Sequence, residues 1–127
     1  MGQSQVIKVL GATQETMMRF DKALGMGESQ TLFNDLRLKL VSALEIGGCA
    51  LLVKQYPDHL YICAAQGQHL MRDVRPALEV LAKASGLQVI RAKTATASMH
   101  RFYRRCPDIH CIRDNGIEKT WELTVNG

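Results

Sequence analysis

Residues 60–106 constrain the fold of this chain more than any other segment. They read as a strand (LYICAAQ), a loop, an amphipathic helix (VRPALEVLAKASG), a second strand (LQVIRAKTA) and a short helix (SMHRFYRRC). A helix between two apolar strands predicts a parallel pair joined by a crossover connection. Open sheets of this kind bind their ligands at the carboxyl ends of the strands, so the same segment predicts where a site would lie.

The composition predicts one domain over residues 1–127. The chain has 127 residues, of which 46% are hydrophobic, enough for a single core. Its longest apolar runs, residues 49–53 and 62–65, are far shorter than the ~20 residues that span a bilayer, so no membrane segment is expected. The amino terminus lacks the basic and apolar regions of an export signal. We therefore expect a cytoplasmic protein.

The four cysteines predict reduced thiols and no metal site. Without an export signal, a disulfide framework is not expected. Cys49 and Cys63 lie in predicted strands among apolar residues, as small buried hydrophobic side chains do. Cys106, His110 and Cys111 match no standard zinc spacing, and adjacent residues of a strand point to opposite faces.

The charge of the chain permits an anionic partner without identifying one. The formal net charge is +4 and the sequence pI is about 9.0. The sharpest basic cluster comprises Arg101, Arg104 and Arg105, with Arg91 and Lys93 at the end of the preceding strand. No nucleic-acid-binding motif accompanies it, and the chain has only three Phe, three Tyr and one Trp. We interpret this cluster as a solvated basic face rather than a nucleic-acid site.

The remaining patterns complete the predicted order of elements. A strand over residues 6–10 precedes a helix capped by Thr13, and a second helix is predicted over residues 29–46 from its apolar stripe. Gly47 and Gly48 would end that helix. Two strands, residues 49–54 and 60–66, should pair as a hairpin. In the next helix Asp73 is the expected cap, which places Pro76 in the first turn.

The carboxyl-terminal segment predicts a second hairpin. Residues 109–113 and 117–125 flank Asn115 and Gly116, a pair that favours a two-residue type I′ turn. That turn would set Arg113 opposite Glu118 and His110 opposite Trp121. His110 would then be a histidine at the edge of the core beside an indole. The buried face of this hairpin would comprise Ile112, Trp121, Leu123 and Val125.

The resulting order, β-α-α-β-β-α-β-α-β-β, resembles the GCN5-related N-acetyltransferase (GNAT) superfamily. The resemblance covers nearly the whole chain, short of one strand in the central antiparallel part. It is most specific in LEVLAKASGLQVIRAKTATASMHRFYRR, where a helix ending near a glycine leads to a strand and then to a helix with a Phe-Tyr pair. It implies an α/β (α+β) fold with a mixed sheet and a central parallel pair. A weaker resemblance links the chain to GNAT-like internal virion proteins of short-tailed phages.

The resemblance also implies a cofactor, acetyl-CoA, and an amine acceptor. The cofactor would lie between the two parallel strands, where the backbone of residues 63–65 (Cys63, Ala64 and Ala65) would hold the pantetheine arm. Its pyrophosphate would lie on the following loop, which comprises Gln66, Gly67, Gln68, His69, Leu70 and Met71. Arg91 or Arg101 would meet phosphate. Tyr103 matches the tyrosine that donates a proton to the departing thiolate, so it is the implied catalytic residue.

Other residues favour a second hypothesis. His69 and Met71 stand where the GNAT pattern has small residues, and no Asp or Glu lies on the strand at residues 60–66 to deprotonate an amine. His69 is a weak alternative base. Tyr103 shares a helical face with apolar residues, as a core tyrosine would. The two hypotheses are an acyl-CoA-dependent N-acetyltransferase and a catalytically inactive GNAT-like protein that binds a protein partner or is associated with a virion.

Overall fold

The computed structural model of the protein describes residues 7–21, 23–24, 26–67, 74–94 and 96–125. The strands are β1 (Ile7–Leu10), β2 (Ser42–Ile46), β3 (Cys49–Gln55), β4 (Leu60–Gln66), β5 (Val89–Thr94), β6 (Ile109–Asp114) and β7 (Lys119–Thr124). The helices are α1 (Gln14–Met18), α2 (Met26–Arg37), α3 (Arg75–Ala84) and α4 (Ala97–Arg104). The strands form one sheet in the order β1-β2-β3-β4-β5-β7-β6. The predicted mixed α+β class is confirmed.

Hydrophobic cores lie on both faces of the sheet. On one face, α1 and α2 bury Met17 and Leu36 against the small side chains Ala43 and Ala50. On the other face, α3 and α4 pack on the longer side chains of the central strands, and Leu78 belongs to this larger core. Alternate residues of β2 and β3 thus enter different cores, as the two-residue period of a strand requires. No helix in the described ranges is long and apolar enough to cross a membrane.

The helix predicted over residues 29–46 ends earlier than expected, at Arg37. Lys39 adopts the left-handed conformation, with φ of 62°, which stops the helix. The Leu40 amide then donates to the Asp35 carbonyl at 2.8 Å, the six-to-one hydrogen bond of a Schellman motif. The predicted boundary is therefore wrong, because the apolar stripe continues past the residue at which the backbone turns.

The end of that predicted helix is instead β2 (Ser42–Ile46), which pairs antiparallel with β1 and β3. Gly47 and Gly48 form the two-residue loop between β2 and β3 rather than a helix end, and Gly47 has a positive φ of 59°. β2 is the additional strand that the sequence-based order lacked. It extends the antiparallel half of the sheet without changing the predicted pairing of β3 with β4.

α3 begins one residue later than predicted, because its N-cap residue is Val74, which makes no side-chain capping hydrogen bond. Arg75 is the first helical residue and Pro76 lies in the first turn, where its missing N–H leaves no hydrogen bond unmade. The Arg75 guanidinium donates to Glu79 at 3.1 Å and pairs with Asp108 in the connection after α4. The predicted cap, Asp73, lies outside the described residues.

The carboxyl-terminal hairpin forms, but its loop is longer than predicted. Strand pairing stops at Asp114 and Lys119, which leaves four residues in the turn. The Asn115 side-chain oxygen accepts hydrogen bonds from the amides of Ile117 and Glu118, at 2.9 and 2.7 Å. An asparagine that satisfies backbone donors in this way holds a wider turn than the two-residue type I′ geometry.

A bulge in β6 then changes the register a second time. Ile112 is skipped in the pairing between β6 and β7 and is 47% exposed, so its predicted burial is wrong. Cys111, not His110, lies opposite Trp121, and His110 lies opposite Glu122 as an exposed residue. The predicted position of His110 beside the indole is therefore also wrong, because a net slip of one residue reverses the faces of a strand.

Gly67, directly after β4, occupies a position that admits only glycine. Its φ is 144°, and a Cβ there would lie 2.7 Å from the Cα of Cys49 and 2.9 Å from the carbonyl oxygen of Gly48. We expect Gly67→Ala to lower the free energy of unfolding by roughly 1–3 kcal/mol, because strain and a backbone clash would act together. Urea denaturation followed by circular dichroism measures this change. Gly48→Ala is the matched control, because a Cβ at Gly48 meets nothing within 4 Å. Equal stability of the two variants would contradict the assignment.

Candidate active site

The two central parallel strands separate partway along their length. β4 and β5 pair in parallel at Leu60, Tyr61 and Ile62 only, so the predicted parallel pair is confirmed over three residues. Beyond Ile62, β4 continues beside β3 while β5 continues beside β7. The edge of β4 that faces β5 therefore has no paired strand after Ile62 among the described residues. Its backbone groups on that edge are available to a ligand.

A bulge in β4 coincides with the point of separation. Ile62 pairs with Val53 and Ala64 pairs with Leu52, so Cys63 is the extra residue between them. A bulge bends its strand and increases the local twist. Because the parallel pairing with β5 stops at the residue before the bulge, we attribute the separation of the strands to it.

The strands diverge around a cavity of about 210 Å³. Six residues that the sequence assigned to the site line it: Cys63, Ala64, Ala65, Gln66, Gly67 and Tyr103. The structure thus brings together the strand backbone, the glycine after it and the tyrosine of α4. Two further predicted residues, Gln68 and His69, lie outside the described residues, as does Met71.

The Cys63 thiol lines this cavity as a neutral group. Burial is the largest influence on it and raises its pKa to about 11. The thiol is therefore protonated at neutral pH and is a poor nucleophile. This leaves the backbone of the bulge, rather than the sulfur, as the part of Cys63 that can bind a ligand.

Gln66 ties the end of β4 to the segment between α1 and α2. Its side-chain nitrogen donates to the Asp21 carboxylate at 2.9 Å, and its side-chain oxygen accepts from the Ala23 amide at 3.1 Å. The side chain thus fixes one wall of the cavity, since Ala23 also lines it. The sequence placed Gln66 at the site but gave no indication of these partners.

Arg91 and Arg101 are not brought to this cavity. Arg91 belongs to the part of β5 that is still paired with β4, and it forms an ion pair with Glu122 at 2.9 Å. Arg101 is an exposed residue of α4 and does not line the cavity. The loop expected to hold the pyrophosphate lies outside the described residues, so the implied contact of either arginine with phosphate stays a prediction. Arg91 shares a face of β5 with Lys93 but lies two residues earlier, before the strands separate, and Arg101 lies on the exposed side of α4.

Tyr103 projects from α4 and is buried beside the cavity. It is 9% exposed and meets Trp121 edge to face, with ring centroids 5.6 Å apart. Burial raises the pKa of Tyr103 to about 12, so the phenol keeps its proton at neutral pH. Among the described residues, the Tyr103 hydroxyl has no hydrogen-bond partner. Every fully buried side-chain polar atom in that part of the chain does have a partner, so the hydroxyl oxygen is not fully buried and opens to the cavity. It is a proton donor without a partner.

The surroundings of Tyr103 are fixed by hydrogen bonds. The Trp121 indole N–H donates to the Thr94 hydroxyl at 2.8 Å, which ties the packing partner of Tyr103 to the end of β5. The Thr96 side chain accepts from the Met99 amide at 3.3 Å and caps α4. These contacts hold the tyrosine at the mouth of the separated strands.

Three charged residues that sequence reasoning did not assign to the site also line the cavity. Lys93 at the end of β5 forms ion pairs with Glu28 of α2 and, at 3.4 Å, with Glu118 of the β6–β7 turn. Burial opposes the charge of Lys93, but the hydrogen bond and charge of Glu28 and the charge of Glu118 outweigh it and raise the pKa of Lys93. We name these three residues the Lys93 cluster.

The sequence carries little signal for the Lys93 cluster. An acidic residue was sought on β4, whereas the two carboxylates come from the first turn of α2 and from a hairpin turn. Their positions, 28 and 118, converge only through the topology of the sheet.

Among the residues that the structure describes, no group of three His, Cys, Asp or Glu side chains could hold a metal ion.

The state of the Cys63 thiol predicts its reactivity. We expect iodoacetamide at pH 8 to alkylate Cys63 at least about tenfold more slowly than the exposed Cys111, because only roughly one Cys63 thiol in a thousand is ionised at that pH. Peptide mass spectrometry after timed quenching measures both rates in the same sample. Equal rates for the two cysteines would contradict a buried, protonated Cys63.

Comparisons with known proteins identify the fold but not a close relative. No family model matches the sequence, and no curated protein matches it. Among solved structures, a GNAT-family acetyltransferase from Listeria monocytogenes has a TM-score of 0.64 at 10% identity, over 94% of each chain. An acetyltransferase from Streptococcus agalactiae has a TM-score of 0.60 at 10% identity, over 97% of this chain and 99% of that one.

Similar structures include complexes with coenzyme A or acetyl-CoA. The PaiA N-acetyltransferase from Thermoplasma acidophilum, in complex with coenzyme A, has a TM-score of 0.58 at 10% identity, over 96% of this chain and 99% of that chain. These similarities extend over nearly the full length of both partners, while the identities are too low to carry over an activity. Together with the separated parallel strands, they show that this chain has the fold of the GCN5-related N-acetyltransferases.

Proposed function

We propose that the protein transfers an acyl group, acetyl in the simplest case, from acyl-coenzyme A to an amine. The observation that carries this proposal is the separation of β4 and β5 after Ile62, which opens an unpaired backbone edge beside the Tyr103 hydroxyl. The fold similarity supports the class of reaction. Fold alone does not establish function, so the proposal depends on the chemistry of this cavity.

The described residues fit the pantetheine arm of the cofactor. An amide-containing chain can hydrogen-bond to an open strand edge as an added strand would. The backbone of Cys63, Ala64 and Ala65 would hold it there. Gly67, the residue after β4, lines the cavity and has no side chain to obstruct the ligand. Acyl-CoA supplies an activated thioester when bound. The loop expected to hold its pyrophosphate, including Gln68 and His69, lies outside the described residues.

Tyr103 would supply the proton that the leaving thiolate needs. A free thiol has a pKa near 8.5 and a tyrosine near 10, so transfer from phenol to thiolate is uphill in water and depends on a buried, oriented donor. Burial raises the pKa of Tyr103 to about 12, which keeps the phenol protonated but makes it a weaker acid, so transfer depends on the leaving thiolate being desolvated in the same cavity and on the ring being held against Trp121. The hydroxyl thus remains a donor throughout the neutral range.

A second candidate function is a GNAT-like protein that binds a partner without catalysis, including a virion-associated role. The observation that favours it is the sequence of the loop after β4, where His69 and Met71 stand at positions that the family pattern gives to small residues. Bulky side chains there would oppose close approach of a pyrophosphate to backbone amides. Binding of acetyl-CoA distinguishes the two candidates.

Acetyl-CoA should stabilise the folded protein. At a concentration one hundred times its dissociation constant, we expect an increase of about 2.7 kcal/mol in the free energy of unfolding, seen as a higher Tm in a thermal-shift assay. ATP at the same concentration is the control, because it carries phosphates without a pantetheine arm. No shift with millimolar acetyl-CoA would reject the transferase and favour the non-catalytic alternative. A gain of binding in a His69→Gly, Met71→Gly double variant would locate the obstacle in the loop.

Tyr103→Phe should lower kcat for acetyl transfer by about 10²-fold or more, because it removes the proton donor while keeping the ring. Stability and the affinity for acetyl-CoA should change little, since the hydroxyl has no hydrogen-bond partner in the described residues. Release of free thiol, followed with a chromogenic disulfide over a panel of amines, measures the rate. Tyr61→Phe is the matched control, because Tyr61 does not line this cavity. An unchanged kcat in Tyr103→Phe would remove the proposed role.

A further inference from the structure

The Lys93 cluster places an ammonium between two carboxylates inside the cavity. The three side chains come from α2, β5 and the β6–β7 turn, and Lys93 is the only cation among the described residues that line this cavity. The side chain of Lys93 is 23% exposed, and those of Glu28 and Glu118 are 35% and 39% exposed. The carboxylates thus remain accessible from solvent while the ammonium lies deeper.

The charges of the cluster do not cancel. Two carboxylates and one ammonium leave a formal charge of minus one at the wall of a chain whose total formal charge is +4. Carboxylate oxygens can each accept more than one hydrogen bond, so a single ammonium leaves acceptor capacity unused. The cavity wall therefore favours a cation over an anion.

A second, independent feature points to a ligand at the same cavity. The hydroxyl of Tyr103 is a polar group on a side chain that is more than nine-tenths buried, and it has no partner among the described residues. It lines the same cavity as the Lys93 cluster. The hydroxyl opens to the cavity with its hydrogen-bonding capacity unused, so a ligand bound there would meet a free donor and acceptor.

We infer that the Lys93 cluster is the binding site for a primary alkylammonium, and that the Lys93 side chain occupies this site until such a ligand displaces it. Glu28 and Glu118 would both bind the incoming ammonium, as they now both bind Lys93. For the acyl transfer proposed above, on which this part rests, the ligand is an acceptor whose bound ammonium anchors it while a second, neutral amine attacks the thioester and loses its proton to solvent. The acceptor class is then a flexible cationic amine rather than a neutral amine or an anion.

The displacement model predicts effects of opposite sign at the three positions. Removing either carboxylate removes a charged hydrogen-bond acceptor, so Glu28→Gln and Glu118→Gln should each weaken binding of a cationic amine by about tenfold. Removing the internal ammonium leaves both carboxylates unpaired, so Lys93→Met should strengthen binding by about tenfold. If the cluster only held the cavity walls in place, all three substitutions would disturb the cavity and weaken binding of the cationic amine.

Titration of the full chain with cadaverine, monitored by calorimetry and by NMR shifts of residues around the cavity, tests the inference without any cofactor. Pentanediol is the uncharged control ligand. Glu15→Gln is the matched control variant, because Glu15 is exposed and lies outside the cavity. Lys93→Gln accompanies Lys93→Met, and thermal unfolding verifies that each variant is folded. The expected result is binding of cadaverine but not pentanediol, with the opposite effects described above.

Two outcomes would overturn the inference. One is the finding that cadaverine binds the unaltered protein no more tightly than pentanediol does. The other is folded Lys93 variants that bind cadaverine equally or more weakly. Acetyl-CoA is titrated separately, so the two proposals fail independently. Cadaverine binding without acetyl-CoA binding would reject the transferase but keep the cation site, and acetyl-CoA binding without cadaverine binding would do the reverse.

Discussion

The bulge at Cys63 is the constraint on which the site depends. One extra residue in β4 lets the strand stay paired with β3 while its other edge leaves β5 after Ile62. Without it, parallel pairing would continue to the ends of both strands and would satisfy the backbone groups that now line the cavity. The site is therefore an interruption of the sheet, in which an unpaired strand edge lies beside the polar side chains of the cavity wall.

The interruption persists because each strand is held on its far side. β4 is anchored by pairing Ala50 with Gln66, and the Gln66 amide binds the segment after α1. β5 is anchored by pairing with β7 and by the hydrogen bond from Trp121 to Thr94. The two strand ends thus belong to different packing units, one under α1 and α2 and the other under α4. Closing the gap would disrupt one of these anchors.

The sequence predicted the elements whose period is unambiguous and missed the points where the backbone departs from a period. β3, β4 and α3 follow clean patterns, and their pairing and order were predicted. α2 was extended too far because Leu40 and Leu44 continue the helical spacing, while the residue that stops the helix, Lys39, adopts a left-handed conformation without being glycine. The bulges at Cys63 and Ile112 likewise carry no glycine, so neither was marked in the sequence.

The same distinction applies to the site. Backbone positions from Cys63 to Gly67 were predicted because they are contiguous, and Tyr103 because it lies in the same recognisable segment. The charged residues were assigned incompletely, because net charge describes the whole chain and not one cavity. The resemblance implied only arginines near this site, whereas Arg91 is paired with Glu122 outside the cavity and the cavity wall carries two carboxylates around Lys93. Local charge in a cavity is set by which elements converge there, so a chain of net positive charge can carry a cavity wall on which carboxylates outnumber ammonium groups.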